Sequence, residues 1–442
     1  MRALALTAAL LAAAVLPAGP PGIAFPLVAL FVAAAVLATA PRSADLVLFG
    51  AAALTLATFP AVLDARWVVV VDLVAAWVFA AVAVAGPKLV APLAPVAVLP
   101  RMPALVPDSF SRAQPALRGL LIGTTVVTPF AVLFLTADAA FAAIADSAPR
   151  PALDSLPGRL IAFGVVLLTA LGLALAAVRT WPVRPLVPRR RLALIEWALP
   201  LGTLNALFAT FVAVQITVLF AGHDHVLRTS GLTYAEYARS GFWQLLAAAV
   251  LTLVVIKGAT IVAAPGTRAE QLLFQLLLGF LCALTLVVVA SAFHRLRLYE
   301  SAFGLTRLRL TAEAFSLWLG GTFALLVAVG ALRRARAFPR VVLAWSALAL
   351  VSFSLANPDA RIAERNVDRW RETGRIDLDY ASRLSADSVP ALNRLPAPLR
   401  DDALARLANE LERDEPWSSA NLSRRRAREL LTRPPSPLRP PR

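Results

Sequence analysis

The run from Gln271 to Ala292, QLLFQLLLGFLCALTLVVVASA, passes without a break into Phe293 to Leu310, FHRLRLYESAFGLTRLRL. The first part carries no charge, and a helix over it would be about 33 Å long, enough to cross a hydrocarbon layer of about 30 Å. The second part sets Arg295, Arg297, Arg307 and Arg309 around Tyr299, Glu300 and Gly304. Such a junction reads as a membrane helix that reaches an interface and turns. Leucines can lie in the headgroup boundary while the guanidinium groups reach towards phosphate, and glycine permits the turn. Arginine forks also bind anions bidentately. Arg295, Arg297, Tyr299, Arg307 and Arg309 are therefore candidate contacts for a small anionic molecule or a lipid head group.

The composition extends that reading to the whole chain. Of 442 residues 59% are hydrophobic and 16% charged, with a mean hydropathy of +0.71, which points to a bilayer as the main solvent. The net charge of +16 does not indicate nucleic acid, because the arginines are dispersed between apolar segments and form no continuous basic face. Cationic loops are what the positive-inside bias produces. The alanine- and arginine-rich composition, with Lys88 and Lys257 as its only lysines, suggests a GC-rich bacterial gene. The single cysteine, Cys282, rules out disulfides or multi-thiolate metal sites within the chain. Met1-Arg2 followed by ALALTAALLAAAVLPAG has the form of a signal peptide, but further apolar runs follow at once, so a retained first helix is expected over cleavage.

Apolar runs at 3–16, 23–40, 46–62, 67–85, 117–137, 160–178, 194–220, 242–264, 271–292, 314–331 and 341–356 predict an all-α fold, a polytopic transmembrane bundle of about 11 spans over residues 1–356. The proline-rich stretch 87–107 fits an interfacial or partly re-entrant connection. Residues 357–442 form a polar, helical extramembrane tail that ends in the disordered PPSPLRPPR. Arg179, Arg184 and Arg189 to Arg191, with Arg333, Arg334, Arg336 and Arg340, fall on one side under strict alternation, which marks that side as cytoplasmic. The expected location is thus a bacterial inner membrane, with the N-terminus inside and the tail outside.

Polar residues within the spans are the next candidates. Glu196, Thr203, Thr210 and Thr217 recur at heptad spacing and share a face of span seven, with Asn205 and Gln215 off that stripe. Such a helix is expected to be surrounded by protein, either for interhelical hydrogen bonding or to line a polar pathway. Asp72, inside WVVVVDLVAAW, is the one acid well within a span, and an intramembrane carboxylate is a functional candidate by default. Between spans seven and eight, Thr233 and Glu236 have capping-box spacing, so Tyr234, Tyr237, Arg239 and Trp243 would lie at the interface. His223, Asp224 and His225 are too few and too local to specify a metal. No catalytic, cofactor-binding or metal-binding set is read from the chain, and no phosphate-binding glycine loop is present.

In the tail, Asn357 followed by Pro358 is a helix start, Ile362, Asn366, Val367 and Trp370 share a face, and Gly374 ends the helix. Further helices are expected at 380–388, 401–413 and 420–431. The stretches LGTLNALFATFVAVQITVLFAG, GLTYAEYARSGFWQLL, RLRLYESAFGLTRLRL, NPDARIAERNVDRW, LDYASRLSADSVPAL and WSSANLSRRRARELL together resemble a bacterial family of multi-pass membrane proteins described only as a domain of unknown function. The resemblance runs over Leu194 to Leu431, and its matching positions include Asn205, Gln215, Tyr234, Tyr237, Arg239, Gly241, Arg297, Tyr299, Gly304, Thr306 and Arg309. It implies an integral membrane protein and supplies no activity. Three functions follow as expectations: non-enzymatic handling of an anion or lipid at the outer leaflet, a membrane scaffold or envelope sensor, and a membrane enzyme acting on a lipid-linked substrate through Asp72.

Overall fold

The computed structural model describes residues 2–16, 19–86, parts of 159–174, 194–220, 242–263, 265–332, 334 and 337–432. The described residues are helical and include no β-strand, as expected of a backbone that must satisfy its own polar groups in hydrocarbon. In chain order the helices are α1 (Arg2–Val15), α2 (Ala24–Leu37), α3 (Ala44–Thr58), α4 (Arg66–Ala85), α5 (Leu194–Phe220), α6 (Phe242–Val262), α7 (Arg268–Phe303), α8 (Arg307–Ala331) and α9 (Phe338–Leu355). The tail adds α10 (Pro358–Thr373), α11 (Leu378–Ser382), α12 (Val389–Leu392), α13 (Ala397–Leu411) and α14 (Leu422–Leu431). Among the described residues six helices are long and apolar enough to cross a membrane, and α1, α2 and Trp197–Ala213 are shorter apolar helices. The expected spans at 117–137 and 160–178 and the stretch 87–107 lie wholly or largely outside the described residues.

The chain divides into two compact units, Met1–Trp181 with Ser385–Asp387 and Arg406–Pro434, and Pro182–Leu384 with Ser388–Ala405 and Pro435–Arg442. Neither boundary falls at residue 357, and the tail contributes to both. In the first unit α1 packs on α2, and α3 on α4. Ala5, Ala12 and Ala35 are fully buried, so small side chains let the helices approach closely, and Phe49 stacks on Phe79 at 6.1 Å. Ser43 caps α3 by accepting the Leu46 N–H at 3.0 Å.

In the second unit α7 is central and packs on α5, α6 and α8. Leu281, Ala249, Ala292, Leu319 and Phe323 form its fully buried core. Helices α8 and α9 meet where the Trp345 indole lies on Gly321, at a position that any β-carbon would occupy. Trp345 Nε1 donates to the Trp318 carbonyl and Trp318 Nε1 donates to Ser346 Oγ, both at 2.9 Å, so neither indole N–H is orphaned in the apolar layer.

The structure corrects the expected connection at 293–310. Helix α7 runs unbroken for 36 residues, about 54 Å, from a Thr267–Glu270 capping box to Phe303, and only Gly304 to Thr306 are non-helical. Gly304 stops the helix at φ +78°, and Thr306 caps α8. In the tail, Asn357 caps α10 and Gly374 ends it as the sequence predicts, with Ile362, Val367 and Trp370 buried. The helix expected at 380–388 instead ends at Ser382 and resumes as a short 3-10 turn at Ala386–Ser388.

Candidate functional site

Two polar clusters, one within each unit, hold the charged side chains together. In the first unit Arg424 is 5% exposed. Its Nη1 donates to Asp64 Oδ1 at 2.8 Å, its Nε pairs with Glu415 at 2.9 Å, and its Nη2 donates to the carbonyls of Pro21, at 3.0 Å, and Ser419. One guanidinium therefore joins the α1–α2 turn, the α3–α4 turn and the end of the tail. Asp387 Oδ2 accepts the N–H groups of Asp64, at 2.9 Å, and Ala65, at 2.8 Å, while Asp64 Oδ2 accepts the Ala386 N–H at 3.0 Å. The two carboxylates thus cap each other's backbone. Burial pushes the Asp387 carboxyl above its usual range, opposed by hydrogen bonds from Ser423 and Ser385. Asn421 caps α14 and donates through Nδ2 to the carbonyls of Pro60 and Leu63, both at 2.9 Å. The Ile23 N–H donates to the Ala420 carbonyl at 3.0 Å, and Gly22 is the only size that fits against the Ser419 backbone.

In the second unit the tip of the α7–α8 hairpin is bound by α10 and α11. Arg307 Nε donates to Asp359 Oδ1 at 2.9 Å, its Nη2 pairs with Oδ2, and Asp359 is fully buried. The Arg307 N–H donates to the Tyr380 hydroxyl at 2.7 Å, and Nη2 also donates to the Arg383 carbonyl at 3.2 Å. Burial raises the Tyr380 phenol, which keeps it neutral in this role. Asn366 grips the backbone of Leu305 from both sides, accepting its N–H and donating to its carbonyl, each at 2.9 Å. A β-carbon on Gly304 would lie 2.8 Å from Asn366 Oδ1. Gly304→Ala is accordingly expected to lose about 1–3 kcal/mol of stability, from the positive φ and the displaced Asn366. Gly279→Ala, where a β-carbon meets nothing within 4 Å, is the control in denaturant titrations of the detergent-solubilised protein.

The candidate arginines all meet protein groups. Arg297 pairs with Glu313 at 3.0 Å, Arg309 lies over the Tyr299 ring at 4.3 Å and donates to the Gly304 carbonyl, and Arg295 is half-buried on α7. Asp72 is 1% exposed within α4. Asn205 is buried and donates from Nδ2 to the Leu201 carbonyl at 2.8 Å and across to Leu277 on α7 at 3.1 Å. Thr203 and Thr210 are exposed, and their hydroxyls donate to carbonyls of their own helix, so these two positions face outward with their polar groups satisfied. The side chains of Glu196, Gln215 and Thr217 lie outside the described residues, as do Tyr234, Tyr237 and Arg239 and the His223–His225 segment. Trp243 is 53% exposed beside Phe242. Among the described residues no cluster of three metal-binding side chains occurs.

Asp64, Asp387, Glu415, Asn421 and Arg424 carry no role in the sequence reading. A usable signal was present, since Asn421 precedes an amphipathic run as a cap should. A family model with the description Domain of unknown function (DUF4153) matches residues 4–395. The match reaches the N-terminal helices, which the motif stretches from Leu194 onward do not cover, and stops before Glu415 and Arg424. No curated protein and no solved structure matches the chain.

Proposed function

The chain belongs to this family, whose description carries no activity, and on that premise we propose that it is a non-enzymatic membrane scaffold, a helix bundle that holds a folded C-terminal cap against one face of the bilayer. The observation that carries the proposal is the direction in which the charges point. Arg307 and Arg424 each bridge bundle and tail through a buried or largely buried acid. Arg297 pairs with Glu313 and Arg309 lies over Tyr299, so both already have partners within the hairpin, although the Arg297 side chain is 47% exposed.

Sidedness follows from alternation. On the eleven-span reading of the sequence, strict alternation puts the tail on the face opposite the N-terminus. The arginine bias assigns that face to the outside of a bacterial inner membrane, with the N-terminus in the cytoplasm. A scaffold of this kind works through its cap. In a strain deleted for the gene, a copy that inserts normally but carries Arg424→Ala should fail to restore the deletion phenotype. Full rescue by a copy whose tail has become protease-sensitive would reject the scaffold role, as would saturable solute flux in proteoliposomes of the purified chain.

A further inference from the structure

Among the described residues of the tail, Trp417 and Leu422 are the only large apolar side chains left exposed, at 64% and 60%. They belong to one short segment with its own pattern of exposure. Over 416–422 the exposed residues are Pro416, Trp417, Ala420 and Leu422, all apolar, while Ser418, Ser419 and Asn421 are buried. The exposed residues on either side, Glu412, Arg413 and Asp414 before it and Arg425 and Arg426 after it, are all charged. A loop that faces water on every side has no reason to sort its side chains in this way. The backbone is matched to the same environment. The Pro416 carbonyl accepts the Ser419 N–H at 2.9 Å, the Trp417 carbonyl accepts the Ala420 N–H at 3.0 Å, and the carbonyls of Ser419 and Ala420 are taken by Arg424 and by the Ile23 N–H. Satisfied carbonyls are what a non-helical segment needs at the edge of hydrocarbon.

We propose that residues 416–422 dip into the headgroup boundary of the bilayer, with Trp417 and Leu422 as anchors against phospholipid. The inference deepens the cap reading and rests on it, because the segment is in place only while the tail is folded on the bundle. Its depth follows from what it sits on. The Ile23 N–H bonds the Ala420 carbonyl, and β-carbons on Gly19 and Gly22 would meet Pro416 and Ser419, so the segment lies directly on the α1–α2 turn. Helices α1 and α2 have 14 residues each, about 21 Å, against about 30 Å of hydrocarbon. With Arg2 and Arg42 held at the opposite interface, that turn comes no further than the near edge of the hydrocarbon. Ile23, Leu30 and Leu37, at heptad spacing on α2, are exposed at 40%, 55% and 63%, an apolar stripe of the kind that faces lipid. Its upper end, Ile23, is bonded to Ala420, so the exposed apolar surface runs on from α2 into the tail segment and the same lipid covers both. An indole suits that level, with its ring in the apolar layer and its N–H towards the head groups. The charged positions from Arg425 onward return to water.

The test uses the full-length protein in phosphatidylcholine nanodiscs, with Cys282→Ala to remove the one native thiol and a nitroxide attached at a single introduced cysteine. Labels carried by Trp417→Cys and Leu422→Cys should collide more with dissolved oxygen than with a water-soluble nickel chelate. Glu429→Cys should show the reverse. It lies on the same face of α14 as Leu422, two turns and about 10 Å further along. Labels at the first two positions that the chelate reaches as freely as the third would overturn the proposal. Labels shielded from both reagents would assign the patch to a protein partner or a second copy, and would overturn it as well. Trypsin resistance of the tail is read in parallel on the unlabelled wild type. A resistant tail with chelate-exposed labels would sink this inference and leave the cap reading standing, whereas a wild-type tail that is cleaved would remove both. Should a label loosen the tail, native tryptophan emission decides. The difference in emission between wild type and Trp417→Phe should vanish in bromine-labelled phosphatidylcholine, and a difference that persists would overturn the proposal.

Discussion

Replacing Arg424 with alanine is expected to remove about 3–5 kcal/mol from the first unit, because the deletion takes the counter-charge from Asp64 and leaves Glu415 with Arg428 alone. The Arg424 side chain is 6% exposed, Asp64 18% and Glu415 14%, so little water is at hand to compensate. Two carbonyls, of Pro21 and Ser419, lose a donor at the same time. Arg424→Lys should recover only part of the loss, since a single ammonium cannot reach two acids and two carbonyls that lie around a planar fork. Arg425→Ala is the matched control. Its partner Glu429 sits one turn away on an exposed face, and such pairs are worth at most about 0.5 kcal/mol. Denaturant titration in detergent reads the energies, and tryptic cleavage after the exposed arginines of α14 reads the release of the tail.

Asp359→Asn should have the second-largest effect, about 1.5–3 kcal/mol, as the cost of taking the charge from one side of a buried charge-assisted pair. The value stays below that for Arg424 because the Arg307 side chain is 35% exposed and water screens it in part. The substitution keeps the shape of Asp359, so α10 should still form. What changes is its attachment to the hairpin. Proteolysis should then open the chain between Thr373 and Leu378, the non-helical link that begins where Gly374 ends α10. Tyr380→Phe should act in the same direction and more weakly, because it removes one acceptor from the Arg307 N–H.

The fold class was legible because hydrocarbon imposes a length and a polarity on each span that need no tertiary knowledge, as the run from Gln271 to Ala292 illustrates. The start and stop of α10 were legible for a similar reason: Asn357, Pro358 and Gly374 act within one turn of themselves. The continuation of α7 through the RLRL repeat was not. Arg297 finds its acid 16 residues away on α8, and Arg307 finds Asp359 52 residues away, so the groups that favour a rigid hairpin over an interfacial loop are absent from any local window. The knot around Arg424 is more remote still, since Asp64 lies 360 residues upstream. Local pattern even misled at 380–388. The segment Ser385 to Asp387 leaves the helix that its sequence suggests because the Ala386 N–H and the Asp387 carboxylate are taken by the α3–α4 turn. The threonine stripe of α5 is a further case. The Thr203 and Thr210 hydroxyls each return to a carbonyl of their own helix, so a polar stripe does not by itself require a protein neighbour.

The central claim is that the tail is bonded into the turns of the bundle, and backbone hydrogen exchange of the full-length protein in lipid nanodiscs tests it most directly. The N–H groups of Ile23, Asp64, Ala65 and Leu305 lie in turns, where amides ordinarily exchange within the fastest class. Here each donates to a tail group, Ala420, Asp387 or Asn366. Slow exchange at these four positions, lost at Asp64 and Ala65 in Asp387→Ala but retained at Leu305, is the predicted result. Exchange at the rate of open turns in the wild-type protein would contradict it.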